Sequence, residues 1–279
     1  MSYSFQTNVT SLIAQENLRV TSDFQSRTIT RLTSGYRINS SGDDAAGLAV
    51  ANKFRSDVAE LNQGVRNAND GVSTLQIVDG GLNNISQILD SLKGLATQSA
   101  SDTFTGDRTT LNTEFQTLLG EIDRQAANVG LASGGGTGGR FNAAISVYIG
   151  GGDTQANAQV QIDLSGATNE VDSNGLGLSA NTGDTKTTAL AAITNLEAAV
   201  ASLGKTQGVV GDGENALQFA ISLAQSQVTN YSAADSRIRD ADVAAEAANL
   251  TKAQVLQQSS VAALSQANSA PQALLKLFQ

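Results

Sequence analysis

The 279-residue chain contains no cysteine, no histidine and no tryptophan, and only one proline and one methionine. Without cysteine there is no disulfide, no thiolate nucleophile and no thiolate metal ligand. Without histidine the commonest general base, the commonest metal ligand and the usual switch near neutral pH are gone, and a Ser-His-Asp triad is impossible. Carboxylates alone are left for catalysis, and with charged residues at 15% the composition argues against an enzyme and for no bound metal or cofactor. Basic residues are also scarce. Lys and Arg number 17 against 26 Asp and Glu, a net charge of −9 that disfavours a nucleic-acid partner. No apolar run reaches the roughly 18 residues of a membrane span, so no membrane insertion is expected. The first ten residues carry neither a basic region nor an apolar run, so no cleaved secretory signal is expected; those signals alone describe a cytoplasmic protein, unless export takes another route.

The acidity is unevenly placed. Residues 101–200 hold 11 acidic and 4 basic groups, whereas residues 1–100 hold 9 and 8, and residues 201–279 hold 6 and 5. Asp153, Asp163, Glu170, Asp172 and Asp184 follow one another from Phe141 to Thr185 with no basic residue among them. Such a centre favours water, and the near-neutral, Ala- and Leu-rich ends favour burial.

Both ends carry helical periodicity. Val9, Leu12, Ile13, Val20, Phe24 and Leu32 keep helical spacing up to a stop at Gly35. Asn39–Asp44 is loop chemistry, with Asp43 or Asp44 placed to cap the next helix. From there one helix is expected over about 44–99. One row runs Phe54, Leu61, Ala68, Leu75, Leu82, Leu89 and Ala96; the second runs Ala51, Val58, Val65 and Val72, is lost at Asp79 beside Gly80 and Gly81, and resumes out of phase at Ile85 and Leu92. Asp107 can cap a helix over about 108–129. Gly134–Gly139 lacks the Gly-Lys-Ser/Thr ending of a phosphate loop and reads as a linker. Ala144–Ile149 and Gln159–Leu164 alternate apolar and polar residues across a Gly-rich gap, a hairpin signal. Helix returns over about 186–203. Gly204, Gly208, Gly211 and Gly213 then predict a kink or a loop, and a second long helical pattern runs from Glu214 to Ser269, ended by Pro271, before an apolar tail of Leu274, Leu275, Leu277 and Phe278. The fold class expected is mainly α: long antiparallel helices from both chain ends form coiled-coil or bundle domains, with a small central β-hairpin region.

A pair of terminal helices buries one stripe on each, leaving Phe5, Val9, Leu12, Ile13, Val20, Phe24, Leu32, Leu250, Val255, Leu256, Val261, Leu264, Leu274, Leu275 and Phe278 with much apolar surface in water. Large exposed apolar surface marks an interface, so self-association through poorly ordered ends is expected, and a heterologous contact that does not close gives a helical filament. Arg31, Arg37, Asp43, Asp44, Arg237, Asp240 and Asp242 are candidates for polar contacts between subunits. The Asp240–Asp242 spacing could also suggest a metal or acid-base site, but positions two apart on a helix face different ways.

Leu32-Thr33-Ser34-Gly35-Tyr36-Arg37-Ile38-Asn39-Ser40 and Asp43-Asp44-Ala45-Ala46-Gly47-Leu48-Ala49 closely resemble the N-terminal signature of bacterial flagellin. Ser236-Arg237-Ile238-Arg239-Asp240-Ala241-Asp242 and Leu250-Thr251-Lys252-Ala253-Gln254-Val255-Leu256-Gln257-Gln258 resemble its C-terminal signature. The similarity covers about 1–130 and 200–279. It implies a flagellar filament subunit for swimming motility, located outside the cell and exported without a cleaved signal peptide through the flagellar type III apparatus. It implies an inner-core domain of 1–42 plus 236–279, a bundle domain of 43–135 plus 186–235, and an outward-facing acidic region of 136–185, too short for large outer domains. The partners it implies are other copies of the chain, flagellar cap and junction proteins, and an export chaperone on Leu250–Phe278. A hook–filament junction protein of the same superfamily is the alternative. The stretch that a vertebrate immune receptor reads in many flagellins matches Leu89–Gln98 and Glu114. Ser91 and Gly94 stand where the recognised members carry Arg and Glu, and Lys93 and Glu114 keep the charge type, so weak recognition is expected.

Overall fold

The computed structural model describes residues 7–133, 144–151, 157–165 and 169–277, with the side chains of 270–277 outside that description. Among the described residues there are five α-helices and one two-stranded sheet: α1 (Val9–Ser34), α2 (Ala45–Ala100), α3 (Arg108–Val129), β1 (Ile145–Tyr148), β2 (Gln159–Ile162), α4 (Lys186–Arg239) and α5 (Val243–Leu277). The chain divides into two compact units, Met1–Ser56 with Asn230–Gln279, and Asp57–Thr229. The linker expected at Gly134–Gly139 lies outside the described residues.

In the first unit α1 and α5 pair. Asn8 caps α1 by accepting from the Ser11 N–H at 3.2 Å, and Gly35 ends it in the left-handed conformation (φ 74°) that a glycine adopts without a Cβ penalty. Ser11 Oγ lies 2.8 Å from Asn268 Oδ1, while Arg31 meets Glu246 at the other end, so the helices run antiparallel. The seam on α1 is Ser11, Ala14, Leu18, Thr21, Gln25, Thr28 and Leu32; that on α5 is Glu246, Leu250, Ala253, Gln257, Ser260, Leu264 and Ala267. Both alternate steps of three and four, the heptad rhythm of a coiled coil. Asp44 caps α2 with a 2.8 Å bond from the Gly47 N–H, and Asp242 caps α5 with bonds from the Ala244 and Ala245 N–H groups. Phe54 stacks on Tyr231 with ring centroids 5.6 Å apart.

The second unit packs α2, α3 and α4 around Leu61, Leu75, Leu82, Leu89, Phe115, Leu119, Ile122, Leu196, Leu203 and Leu217, all buried. Asp107 caps α3, as its sequence predicts, by accepting from the Thr109 N–H at 2.8 Å. The hairpin is antiparallel with Ile145 opposite Ile162 and Val147 opposite Val160. It lies against the helices where they lack side chains. A Cβ on Gly64 would stand 1.7 Å from the Ile149 carbonyl oxygen, one on Gly71 would stand 3.0 Å from Val147 Cγ2, and one on Gly213 would stand 2.9 Å from Ile162 Cγ2.

Four expectations are corrected. The second row of the α2 seam is Gly64, Gly71, Val78, Ile85, Leu92 and Ser99, which keeps phase throughout and is buried except at half-buried Gly71, while Val58, Val65 and Val72 are half-buried; there is no disturbed step at Gly80. The Gly204–Gly213 stretch is neither kink nor loop but continuous α4. Its glycines cost helix stability, yet Leu203, Thr206, Val210, Gly213 and Leu217 carry an unbroken buried heptad row across them. The pattern from Glu214 to Ser269 is two helices, because the chain leaves helical geometry after Arg239 to pair Asp240 with Tyr36 in a short bridge. Finally, α5 continues through Pro271 to Leu277. Proline has no N–H to give the Ala267 carbonyl four residues back, and the Asn8 side-chain amide donates to that carbonyl instead, at 2.9 Å.

Candidate assembly interface

Apart from Leu18, Leu32, Leu250 and Leu264, the seam between α1 and α5 uses small and polar side chains, which leaves many large apolar ones of both helices outside it. Val9, Ile13, Val255 and Val243 are more than half exposed, at 57%, 57%, 56% and 58%; Leu12, Val20, Val261 and Leu256 are exposed as well. Leu32, Leu250 and Leu264 are half-buried within the seam, and Phe24 is half-buried as well. Of the remaining apolar residues expected at the assembly surface, Leu274 and Leu275 lie on α5 where only the backbone is described, and Phe5 and Phe278 lie outside the described residues. Fully burying one Val, Leu or Ile side chain is worth roughly 1.5–3 kcal/mol, so this face is expensive to leave in water.

The polar candidates gather at the end of α1. Arg31 reaches Glu246 at 3.4 Å and Asp43 at 3.7 Å, so it ties α5 and the Asn39–Asp44 turn to α1. The backbone N–H groups of Ser40 and Asn39, the Ser40 hydroxyl and the Arg31 charge all stabilise the Asp43 carboxylate and hold it below its ordinary range. Arg37 donates through its backbone to the Arg239 carbonyl at 2.5 Å and through its guanidinium to the Ile238 carbonyl at 2.9 Å. The Arg239 guanidinium lies 4.3 Å from the centre of the Tyr36 ring, a cation–π contact that sequence spacing did not single out. Asp240 accepts from the Ser236 hydroxyl, Asp242 is spent on its cap, and Arg237 is exposed. Asp240 and Asp242 thus serve a bridge and a helix start, and among the described residues no group of three or more candidate ligands could hold a metal ion.

In the second unit Ser91, Gly94 and Glu114 are exposed, and Lys93 pairs with Glu197 of α4 at 3.1 Å. Ser91 turns its hydroxyl back onto the Gln87 carbonyl at 3.0 Å.

A chain that joins its two ends through a seam of largely small and polar residues and turns many large apolar ones outward is, as a class, a helical building block for an assembly. Residues 5–130 match the family model of the bacterial flagellin N-terminal helical region, and residues 193–278 match that of the bacterial flagellin C-terminal helical region. A flagellin of Halalkalibacterium halodurans is 34% identical over 286 residues, 98% of each chain. Flagellin FlaB1 of Treponema pallidum is 32% identical over 286 residues, again 98% of each. The flagellar filament 30.7 kDa core protein of Treponema maltophilum is 33% identical over 285 residues, 97% of this chain and 98% of that one. A crystal structure of Bacillus cereus flagellin overlaps 61% of this chain and 94% of its own, at 25% identity and a TM-score of 0.48. The chain belongs to the bacterial flagellin family.

Proposed function

We propose that the chain is a structural subunit of the bacterial flagellar filament, that it acts by polymerising rather than by catalysis, and that the outward face of α1 and α5 makes the contacts. The observation that carries this reading is the inverted seam: Ser11, Ala14 and Thr28 are buried between the two helices while Val9, Leu12, Ile13 and Val20 stand in water. A second copy can cover those residues, and a contact between unlike faces that does not close extends into a helical polymer.

Within that reading, 1–42 with 236–279 is the inner-core domain, 43–135 with 186–235 a helical bundle domain, and 136–185 a short acidic outward-facing region. Before assembly the chain passes through the type III apparatus, with Leu250–Phe278 held by a chaperone, and it polymerises between junction and cap proteins. Ser91 and Gly94 in place of an Arg and an acid make it a poor ligand for the vertebrate receptor. Swimming motility follows from the filament. The relatives' names, flagellin and flagellar filament core protein, give no support to the junction-protein alternative.

The test is seeded polymerisation of the purified full-length chain, followed by sedimentation and electron microscopy, beside Ile13→Asp and Val261→Asp variants. Both substitutions fall on exposed positions, so the helical content of the monomer stays unchanged. Long tubes from the unaltered chain and none from the variants support the reading. Short rings from the unaltered chain return the junction protein to favour, and tubes from both variants remove these helix faces from the contact.

A further inference from the structure

The loop before α4 contains the only Asn-Gly dipeptide of the chain, Asn174–Gly175. The structure explains why the glycine is there: a Cβ at 175 would stand 2.5 Å from Glu170 Cβ and 2.7 Å from the Glu170 carbonyl oxygen. The packing therefore places an exposed asparagine before a residue with no side chain to shield its nitrogen. That pairing is chemically labile. The Gly175 nitrogen can attack Cγ of Asn174, forming a five-membered succinimide as the bond to Nδ2 breaks and ammonia leaves. Water then opens one of the two ring carbonyls, giving aspartate or isoaspartate. The net change is loss of ammonia and gain of water, with nothing oxidised or reduced.

The same loop restrains the nitrogen. The Gly175 N–H donates to Oδ1 of Asp172 at 2.7 Å, inside a single helical turn closed by the Leu176 N–H on the Asp172 carbonyl at 2.9 Å. Asp172 is itself buried and fixed by the Ser133 backbone N–H at 2.8 Å and by the Ser133 hydroxyl. The Asn174 amide is turned toward Ser133 Oγ, at 3.5 Å. To become a nucleophile the Gly175 nitrogen must shed its proton and leave this bond. A hydrogen-bonded carboxylate opposes both, by charge and by geometry.

We propose that Asn174 is a site of spontaneous deamidation whose rate is set by folding, with Asp172 as the protecting group. An unfolded chain lacks the protection, so the deamidated fraction records time spent unfolded. Aspartate at 174 adds a negative charge beside Asp172, and isoaspartate adds a methylene to the backbone of the turn, which breaks its hydrogen bonding.

The test incubates the full-length chain at mildly alkaline pH in three forms: native, unfolded in urea, and Asp172→Ala with its helical content checked by circular dichroism. Peptide mass spectrometry reads the 174–175 deamidation. A charge-assisted hydrogen bond predicts native deamidation slower than unfolded by roughly tenfold or more, with folded Asp172→Ala close to the unfolded rate. Equal rates in native and unfolded chains overturn the proposal, and a folded Asp172→Ala chain as slow as the native one overturns the role of Asp172. Because the alanine variant can lose the loop fold, amide exchange of Gly175 in the unaltered native chain supplies the second measurement. Protection there supports the restraint, and exchange at the rate of a free peptide overturns it.

Discussion

The Asn8 side-chain amide donates 2.9 Å to the Ala267 carbonyl, the acceptor that Pro271 leaves vacant inside α5. One asparagine thus does two jobs: its Oδ1 caps α1 and its Nδ2 completes a helix 259 residues away in sequence. The two jobs can be separated. Asn8→Asp keeps the cap but loses the donor and sets a carboxylate against a carbonyl; Asn8→Ala loses both. Native amide exchange is expected to quicken around Ala267 in both variants, and around Ser11 only in Asn8→Ala, whose stability falls by about 1 kcal/mol for the cap alone.

Gly64 and Gly80 lie on the same helix and should respond oppositely to alanine. At Gly64 the new Cβ meets the Ile149 backbone, which cannot swing aside as a side chain can, so the hairpin must move at a cost of about 1–3 kcal/mol. At Gly80 nothing lies within 4 Å, and alanine gains about 0.5–1 kcal/mol of helix propensity. Urea unfolding of the two variants should shift in opposite directions; a stabilised Gly64→Ala chain would refute the close packing of hairpin on helix.

Arg31 neutralises Glu246, whose side chain is only 10% exposed. Arg31→Met strands that carboxylate and should cost about 1–3 kcal/mol, the lower part of the range for breaking a buried pair because Arg31 is itself partly exposed. Arg31→Met combined with Glu246→Gln should lose less than Arg31→Met alone, since a neutral amide needs no cation. The measurement is a double-mutant cycle by thermal unfolding, and strictly additive losses would sink the coupling.

Asp43 gives the Asn39–Asp44 turn its acid sensitivity. Its folded pKa lies below the ordinary 3.8, first through the Ser40 N–H and then through Asn39, the Ser40 hydroxyl and Arg31. In the window between the depressed and the ordinary value the unfolded chain binds the extra proton, so this contribution is full above the ordinary value and fades as pH falls through the folded one. Asp43→Asn should therefore unfold more easily than the unaltered chain at neutral pH, with the gap narrowing as pH drops below that range. A gap that widens in acid would contradict the assignment.

Patterns that repeat along one helix face were readable without coordinates. The row Leu61, Ala68, Leu75, Leu82, Leu89 and Ala96 is buried as its spacing requires, Gly35 ends α1, Asp107 caps α3, and the alternation around Val147 and Val160 becomes a hairpin. Each depends on contacts within a few residues or on the fixed period of helix and strand. The sequence also concentrated large apolar residues at its two ends, in excess of what one helix pair can bury. It could not say which stripe would lie inward, because Val9, Ile13 and Val20 are as helical in spacing as Ser11, Ala14 and Leu18.

What tertiary structure decided is the meaning of the exceptions. A glycine in a helical pattern reads locally as a breaker, since propensity counts only the entropy it costs. Gly213, read that way, is instead, like Gly64 and Gly71, where the hairpin segment comes within reach of a helix backbone, and that close packing makes a missing side chain an advantage. Pro271 likewise reads as a stop, yet α5 passes through it because a donor from the far end of the chain, Asn8, satisfies the freed carbonyl. The break at Asp240 arises from the pairing of two backbone segments more than 200 residues apart, at Tyr36 and Asp240. Sequence alone therefore determined the helical periodicity of both ends, the Gly35 stop, the Asp107 cap and the apolar excess that calls for partners. Which seam closes inside the chain, and where helices run on or stop, was set by backbone approaches and hydrogen bonds between residues that only folding brings together.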